Sequence, residues 1–331
     1  MISIPVSLVN MILQDYEIHA PQVSLIRHNE NLTYKVIDPT INQSYLLRIH
    51  YPFTKNIEGI QHAKEGILCE LALLQKMADE TDLVLQTPVR TSSGQLISKL
   101  FLNGYQPIYC SLLNWIEGRN LQNEDFSDCE LVAQLGEQLA RMHKYFKTLK
   151  NIEILNSRPH YSRNYNEIML EKIFKGLEKG LFELYEYDII VQTIDLIHSR
   201  LFGSKENVND WGIIHGDLNM GNILVTDKRE IAFIDFGLFG FGHYLLDVAM
   251  GALNSTSETR DIFLNSYFGN TTYSKDILLI VEGFMLISII FYYANHMENV
   301  EVHQWIKERM PLFCKLHCKP FLNGESILYN F

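Results

Sequence analysis

Basic residues are scarce. The 331 residues carry 28 Lys and Arg against 39 Asp and Glu, a formal net charge of −11. A nucleic-acid binder needs a basic face to neutralise phosphates, so that class of partner is set aside. An acidic surface keeps a soluble protein dispersed and also tolerates a cationic small molecule, and both readings stay open. Cysteine is sparse too. Cys69, Cys110, Cys129, Cys314 and Cys318 make an odd number, spread too widely for a secreted disulfide framework. No Lys or Arg precedes Arg27, so the start lacks the basic region of a signal peptide. Long apolar runs are missing. The longest, 278–293, is interrupted by Glu282, Gly283 and Ser288 and reads as a buried helix, too short and too polar to span a bilayer. A cytoplasmic protein with neither membrane nor nucleic acid as partner is expected. No solenoid or propeller repeat is found. A P-loop, a dinucleotide fingerprint, a zinc-protease helix and a hydrolase nucleophile elbow are all absent, which removes those chemistries.

What is present begins with a change of period. Residues 6–16 have helix-like apolar spacing, whereas 23–28, 31–38 and 44–50 read as three strands of an antiparallel meander. Asp38-Pro39-Thr40-Ile41-Asn42 supplies turn chemistry between the last two. Residues 58–77 return to helix, with Ile67, Leu71 and Leu74 on one stripe. Pro88 and Ser93-Gly94 punctuate a further hairpin, whose second strand, 107–114, runs into Trp115-Ile116-Glu117-Gly118-Arg119. Helical signals then dominate, clearest over 127–146 with Asp128 or Ser127 as N-cap. The exception is a strand–loop–strand segment at 212–237. Strands first and helices later argue for an α+β protein rather than a doubly wound sheet. The expected organisation is a β-rich lobe of five strands and one helix over 1–113, a hinge at 114–118, and a helical lobe over 119–331.

The chemistry concentrates in Ile213-Ile214-His215-Gly216-Asp217-Leu218-Asn219-Met220-Gly221-Asn222-Ile223, followed by Phe233-Ile234-Asp235-Phe236-Gly237. Phosphoryl transfer needs one group to hold the acceptor hydroxyl and take its proton, and others to hold metal ions against phosphate oxygens. An Asp with an Asn five positions later places a base and a metal ligand on one turn. A second Asp beyond the next strand can reach the same metals.

With these residues in order between apolar strands, the chain resembles the aminoglycoside phosphotransferase and choline kinase family, small-molecule kinases of the protein-kinase-like fold. The resemblance covers nearly the whole length. It implies a two-lobed enzyme that moves the γ-phosphate of ATP or GTP onto a hydroxyl of a small molecule: an aminoglycoside, an amino alcohol, homoserine or a relative. It implies that Asp217 is the catalytic base, that Asn222 and Asp235 bind Mg2+, and that His215 supports the loop. It places Asn29 and Asn31 in the turn that covers the phosphates, although that turn has no glycine. On the third strand Arg48 stands where relatives usually carry a phosphate-gripping Lys, with Glu70 as its expected partner and Glu65 as the runner-up. Main-chain atoms of Asn114, Trp115 and Ile116 are the expected purine contacts. The enzyme would act as a monomer or homodimer.

Two other readings stand beside this one: a catalytically silent nucleotide- or partner-binding relative, and a Ser/Thr protein kinase. All three reactive residues are present, which weighs against the first. Only nine residues lie between Gly237 and Asp247, which leaves little room for a peptide-binding activation segment. Asp247 is expected to brace the catalytic loop, His143 to pack in the core and His243 to be a packing or surface residue. Cys314, His317 and Cys318 fall near one helical face but lack the fourth ligand of a structural zinc site. Glu282, Tyr292, Tyr293, Glu298, Glu301 and Trp305 read either as a cation-binding lining or as an amphipathic helix on the core.

Overall fold

A computed structural model describes residues 4–28, 31–51, 60–101, 107–149, 157–203, 210–269 and 273–331. The chain divides into two compact units. The first comprises Met1–Arg119, Ile154–Arg158 and Ala232–Gly237, and the second comprises Asn120–Glu153, Pro159–Ile231 and Leu238–Phe331.

The first unit opens with α1 (Val6–Gln14), started by Pro5, whose fixed φ suits a helix entrance. The meander follows as β1 (Gln22–His28), β2 (Leu32–Asp38) and β3 (Gln43–Ile49). Asp38 Oδ1 closes the expected turn by accepting from the Thr40 N–H at 2.9 Å, and Asn42 takes the left-handed backbone there, at φ 53°. After α2 (Lys64–Glu80) come β4 (Pro88–Val89), β5 (Ser98–Leu100) and β6 (Ile108–Asn114). The sheet runs β1-β2-β3-β6-β4, with β5 also on β6, so it has six strands rather than five. Strands β4 and β5, of two and three residues, are too short to show a period. Helix α2 starts at Lys64, not 58; residues 58 and 59 lie outside the described set.

Strand alternation sorts the faces. Tyr45, Leu47 and Ile49 of β3 join Tyr34, Val36, Cys110 and Leu112 in a buried cluster with Val9, Ile12 and Leu13 of α1. Each fully buried Leu or Ile there contributes about 1.5–3 kcal/mol. The intervening residues Arg48 and His50 must then point to the other face, the side that meets Glu70 of α2.

The second unit is helical, apart from short strands. Strand β7 (Gly118–Asn120) leads into a 3-10 turn and α3 (Cys129–Phe146). Of the two candidate N-caps, Asp128 serves, accepting from the N–H groups of Glu130 and Leu131 at 3.1 and 3.2 Å. Next come α4 (Arg163–Glu178), α5 (Leu184–Gly203), β8 (Trp211–Ile214), β9 (Ile223–Thr226), β10 (Ile231–Phe233) and β11 (Gly240–His243). The chain ends with α6 (Tyr244–Asn254), α7 (Arg260–Tyr267), α8 (Lys275–His296), α9 (His303–Phe313), a π-helical turn at Cys314–Cys318, and α10 (Lys319–Leu322). Antiparallel pairing of β8 with β11 ties the segment before His215 to the strand that enters α6.

The sequence understated α8. Its 22 residues are long and apolar enough to cross a bilayer, but half of them are buried and the helix packs on α4, α5 and α6, as befits a core helix. Glu282, on α8, is one of its buried residues. Its Oε1 accepts from the N–H groups of Ile327 and Leu328 at 3.2 and 3.0 Å, pinning the last segment of the chain. Arg260 holds the same segment through the Leu328 carbonyl and also donates to the Ala252 carbonyl at 2.6 Å.

Candidate active site

The residues singled out in the sequence fall into two clusters, one in each unit. In the first, Arg48 and Glu70 form an ion pair at 2.9 Å, with side chains 5% and 2% exposed. Glu65 is exposed, so Glu70 is the acid that meets Arg48. Asp235 Oδ1 lies 3.6 Å from the same guanidinium nitrogen. Burial works against the charge on Arg48. The carboxylates of Glu70 and Asp235 more than offset it and push the pKa of Arg48 above the ordinary value. Its Nε and Nη2 are buried without a hydrogen-bond partner among the described residues. Nearby His50 bonds to Ser111 Oγ at 2.9 Å. Burial, then Arg48 and His62, hold its pKa well below the usual histidine range, so it is neutral at pH 7.

Asp235 is the one non-glycine residue of its loop in the left-handed region, at φ 61°. That conformation costs most side chains about 1–2 kcal/mol, and Asp tolerates it better than most. The surroundings enforce it. Buried Arg158 donates to the Gly237 carbonyl at 2.5 Å and to the Gly66 carbonyl of α2 at 3.2 Å, fastening the Asp-Phe-Gly turn to the helix that carries Glu70.

At the expected hinge, the N–H groups of Asn114 and Trp115 donate to the carbonyls of Thr87 (2.8 Å) and Ser44 (3.1 Å). Ile116 is therefore the member of the trio whose N–H has no partner among the described residues. Lys35 Nζ stands 4.3 Å over the Trp115 ring. Asn29 lies outside the described residues. Asn31 is described, and its Oδ1 is buried without a partner among them.

The second cluster is built on the loop between β8 and β9. Asp217 Oδ1 accepts from Asn219 Nδ2 at 2.9 Å, and its Oδ2 accepts from Asn222 Nδ2 at 2.8 Å. The Asn222 amide also donates to the Asp217 carbonyl at 2.9 Å. With the nitrogen so committed, the amide oxygen of Asn222 is the side-chain atom left to accept a bond or meet a cation. Gly216 has φ 77°, and a Cβ there would lie 2.6 Å from both the Leu238 carbonyl and the Tyr161 hydroxyl. Only glycine fits between His215 and Asp217.

Helix α6 holds this loop from one face. Asp247 accepts from the N–H groups of His215 and Gly216 at 2.7 and 2.9 Å, and Asn254, two turns on, donates to the Leu218 carbonyl at 2.9 Å. Between them, Met250 Sδ accepts from the Leu218 N–H. Asp247 is wholly buried, which raises a carboxyl pKa, but the bond and charge of His143 and the bond from Gly216 outweigh burial and lower it. His143 does more than pack. Its Nε2 donates to Asp247 at 3.0 Å, while Nδ1 bonds the Tyr267 hydroxyl at 2.9 Å. His243 is buried and caps α6, its Nδ1 accepting from the Leu245 N–H. Burial, assisted by Lys147, pushes its pKa down to about 4.

Other candidates separate in space. Glu282 belongs to the C-terminal anchor, whereas Tyr292 and Tyr293 pack on Trp305 at ring distances of 5.7 and 5.4 Å and Glu298 pairs with Lys179. His317 stacks on Phe331 at 4.2 Å, and among the described residues no three His, Cys, Asp or Glu side chains gather as a metal site. Sequence reasoning missed Arg27, Arg158, Asn219, Met250 and Asn254. Asn254 had a legible signal, because it lies seven residues, two helical turns, after Asp247.

The donors suit the groups the family implies. Asn222 and Asp235 offer only oxygen, which a small hard cation prefers, and such a cation is commonly completed by phosphate oxygens and water rather than by further side chains. Unpartnered buried N–H groups on Arg48 suit phosphate oxygens.

A model of the phosphotransferase enzyme family, APH, matches residues 22–275. No curated protein matches the chain at a significant level of sequence similarity. Among solved structures, a microcompartment-associated aminopropanol kinase is 19% identical, with 97% of this chain and 98% of that one covered at a TM-score of 0.76. A choline kinase from Cryptosporidium parvum Iowa II is 13% identical over 97% of each chain, TM-score 0.67. A spectinomycin phosphotransferase in complex with ADP and spectinomycin is 15% identical over 98% of this chain and 99% of that one, TM-score 0.64. The fold is protein-kinase-like, and the chain belongs to the APH phosphotransferase enzyme family.

Proposed function

We propose that this kinase moves the γ-phosphate of ATP or GTP onto the hydroxyl of a small, amine-bearing alcohol. The observation that carries the catalytic assignment is the loop held by α6. Asp217 is aimed by two amides, Asn219 and Asn222, and the backbone on either side of it, at His215, Gly216 and Leu218, is tied to one helix face. Asp217 accepts the acceptor's hydroxyl proton as the oxygen attacks phosphorus. Asn222 and Asp235 hold Mg2+, which when bound neutralises charge on the transferring phosphate. Arg48, oriented by Glu70, grips the phosphates through its free N–H groups. Residues 114–118 act as the hinge segment between lobes 1–113 and 119–331, with main-chain atoms of Asn114, Trp115 and Ile116 meeting the purine and Asn29 and Asn31 covering the phosphates.

Support for an amine-bearing acceptor comes from the net charge of −11 and from the acceptors named for the three structures above: aminopropanol, choline and spectinomycin. The reading places a monomer or homodimer in the cytoplasm. The test is nucleotide-dependent product release with Mg2+ across amino alcohols, choline, aminoglycosides, homoserine and neutral polyols. Turnover confined to amine-bearing alcohols supports the proposal; turnover of neutral polyols alone overturns the acceptor class.

A further inference from the structure

The surroundings of Asp235 contain more donors than acceptors. Within the first unit, Arg27 Nη2 lies 3.3 Å from Asp235 Oδ2 and Arg48 Nη1 lies 3.6 Å from Oδ1, so each carboxylate oxygen faces a guanidinium. Arg48 still has Nε and Nη2 unpartnered, and both ring nitrogens of His62 are buried without a partner among the described residues. Asp235 also acts on His62 electrostatically. Such an excess of donors is the signature of an anion site in which a carboxylate stands in for a larger anion.

Arg27 reaches this place through a defect in the sheet. Leu25 pairs with Tyr34, and the next pairing is Arg27 with Thr33, so the register slips by one residue at Ile26. In an unbroken ladder Arg27 would oppose Leu32, on the face packed against α1. The bulge reverses its side. Arg27 now stands in one row with Thr33 and Arg48, residues directly opposite one another across β1, β2 and β3.

We propose that Arg27 is a phosphate-binding residue of the nucleotide site, held on Asp235 while the site is empty and transferred to the β- and γ-phosphate oxygens when nucleotide arrives. The assignment rests on the kinase reading given above. The exchange is cheap, because the Arg27–Asp235 pair is 45% and 31% exposed and such pairs are worth little. The buried Arg48–Glu70 pair stays in place by contrast. Release of Arg27 also frees Oδ2 of Asp235 to take a divalent cation, which couples cation uptake to nucleotide binding.

Calorimetric titration of the full chain decides the matter, using ADP, a non-hydrolysable ATP analogue and adenosine, each with Mg2+, alongside Mn2+ titration of nucleotide-free protein read by electron paramagnetic resonance. Loss of a charge-assisted bond to phosphate weakens binding about 10- to 100-fold. Arg27→Ala should weaken the ATP analogue and ADP by that factor, leave adenosine unchanged, and tighten Mn2+ binding to the empty protein. Arg27→Lys should recover part of the phosphate affinity. Unchanged ATP-analogue affinity in Arg27→Ala, with wild type binding normally, overturns the role of Arg27 while sparing the kinase reading. Failure of wild type itself to bind these three ligands and their guanine counterparts alike overturns the kinase reading and this inference with it.

Discussion

Replacing Arg48 and Glu70 by apolar residues should separate folding from function. The pair is almost wholly buried, and Arg48 keeps two nitrogens without a partner among the described residues, so its charge is held chiefly by Glu70 at 2.9 Å and Asp235 at 3.6 Å. Breaking a buried ion pair from one side typically costs about 3–5 kcal/mol, because it strands the other charge. Glu70→Leu should fall at the lower end, about 3 kcal/mol, since Arg48 retains Asp235. Arg48→Met strands Glu70 with no second cation beside it among the described residues, and should cost more. The double variant Arg48→Met/Glu70→Leu removes both charges at similar volume. It should return to within about 1 kcal/mol of wild type, or exceed it, as buried pairs replaced together often do. Urea denaturation gives the stabilities, and calorimetric titration with ADP and Mg2+ gives the affinity. The double variant should be stable yet bind ADP at least about tenfold more weakly, because phosphate has lost its fork. A stable Arg48→Met single variant would refute the buried-pair argument. Wild-type ADP affinity in the double variant would refute the phosphate role of Arg48.

Asp217→Asn should lower turnover about 10²–10⁴-fold, the usual worth of a positioned base, with ADP affinity unchanged by titration. Gly216→Ala should lower stability and abolish turnover, since a Cβ would press on the Leu238 carbonyl and the Tyr161 hydroxyl; thermal denaturation with wild-type stability would sink this reading. For His243, the folded pKa of about 4 lies below the ordinary 6.5, so the unfolded chain takes up the proton first as pH falls. Its contribution to stability is full above pH 6.5 and is lost toward pH 4, about 2 kcal/mol by pH 5. His243→Asn, which keeps an acceptor for the Leu245 N–H, should flatten the stability difference between pH 7 and pH 5, measured by urea midpoints. An equal pH dependence in both proteins would show that other buried histidines carry it.

The local pattern of residues was enough to place the meander, helix α3, and the order His215-Gly216-Asp217, Asn222, Asp235-Phe236-Gly237, because each rests on short-range rules. A period of two marks a half-buried strand, an N-cap Asp marks a helix start, and a fixed spacing sets a loop. Arg48 and Glu70 are named through the family resemblance, with Glu65 as the runner-up, and the ion pair selects Glu70. Asp247 is named as a brace by the same resemblance, and its bonds to the His215 and Gly216 N–H groups fit that role.

Tertiary structure decided the rest. A single-residue slip at Ile26 turns Arg27 to the face of Arg48, and no alternation rule foresees a bulge. Arg158 meets Gly66 and Gly237, 92 and 79 positions away in the chain, so its role exists only once those segments are packed together. His143 looked like core packing because its partners, Asp247 and Tyr267, lie 104 and 124 residues on. Helix α8 read as too short and polar because Glu282 breaks the apolar run, yet that carboxylate is satisfied by backbone N–H groups of the last segment. The candidate groups were legible by type and spacing, whereas their orienting partners depend on long-range contacts, which only the folded chain brings within hydrogen-bond reach.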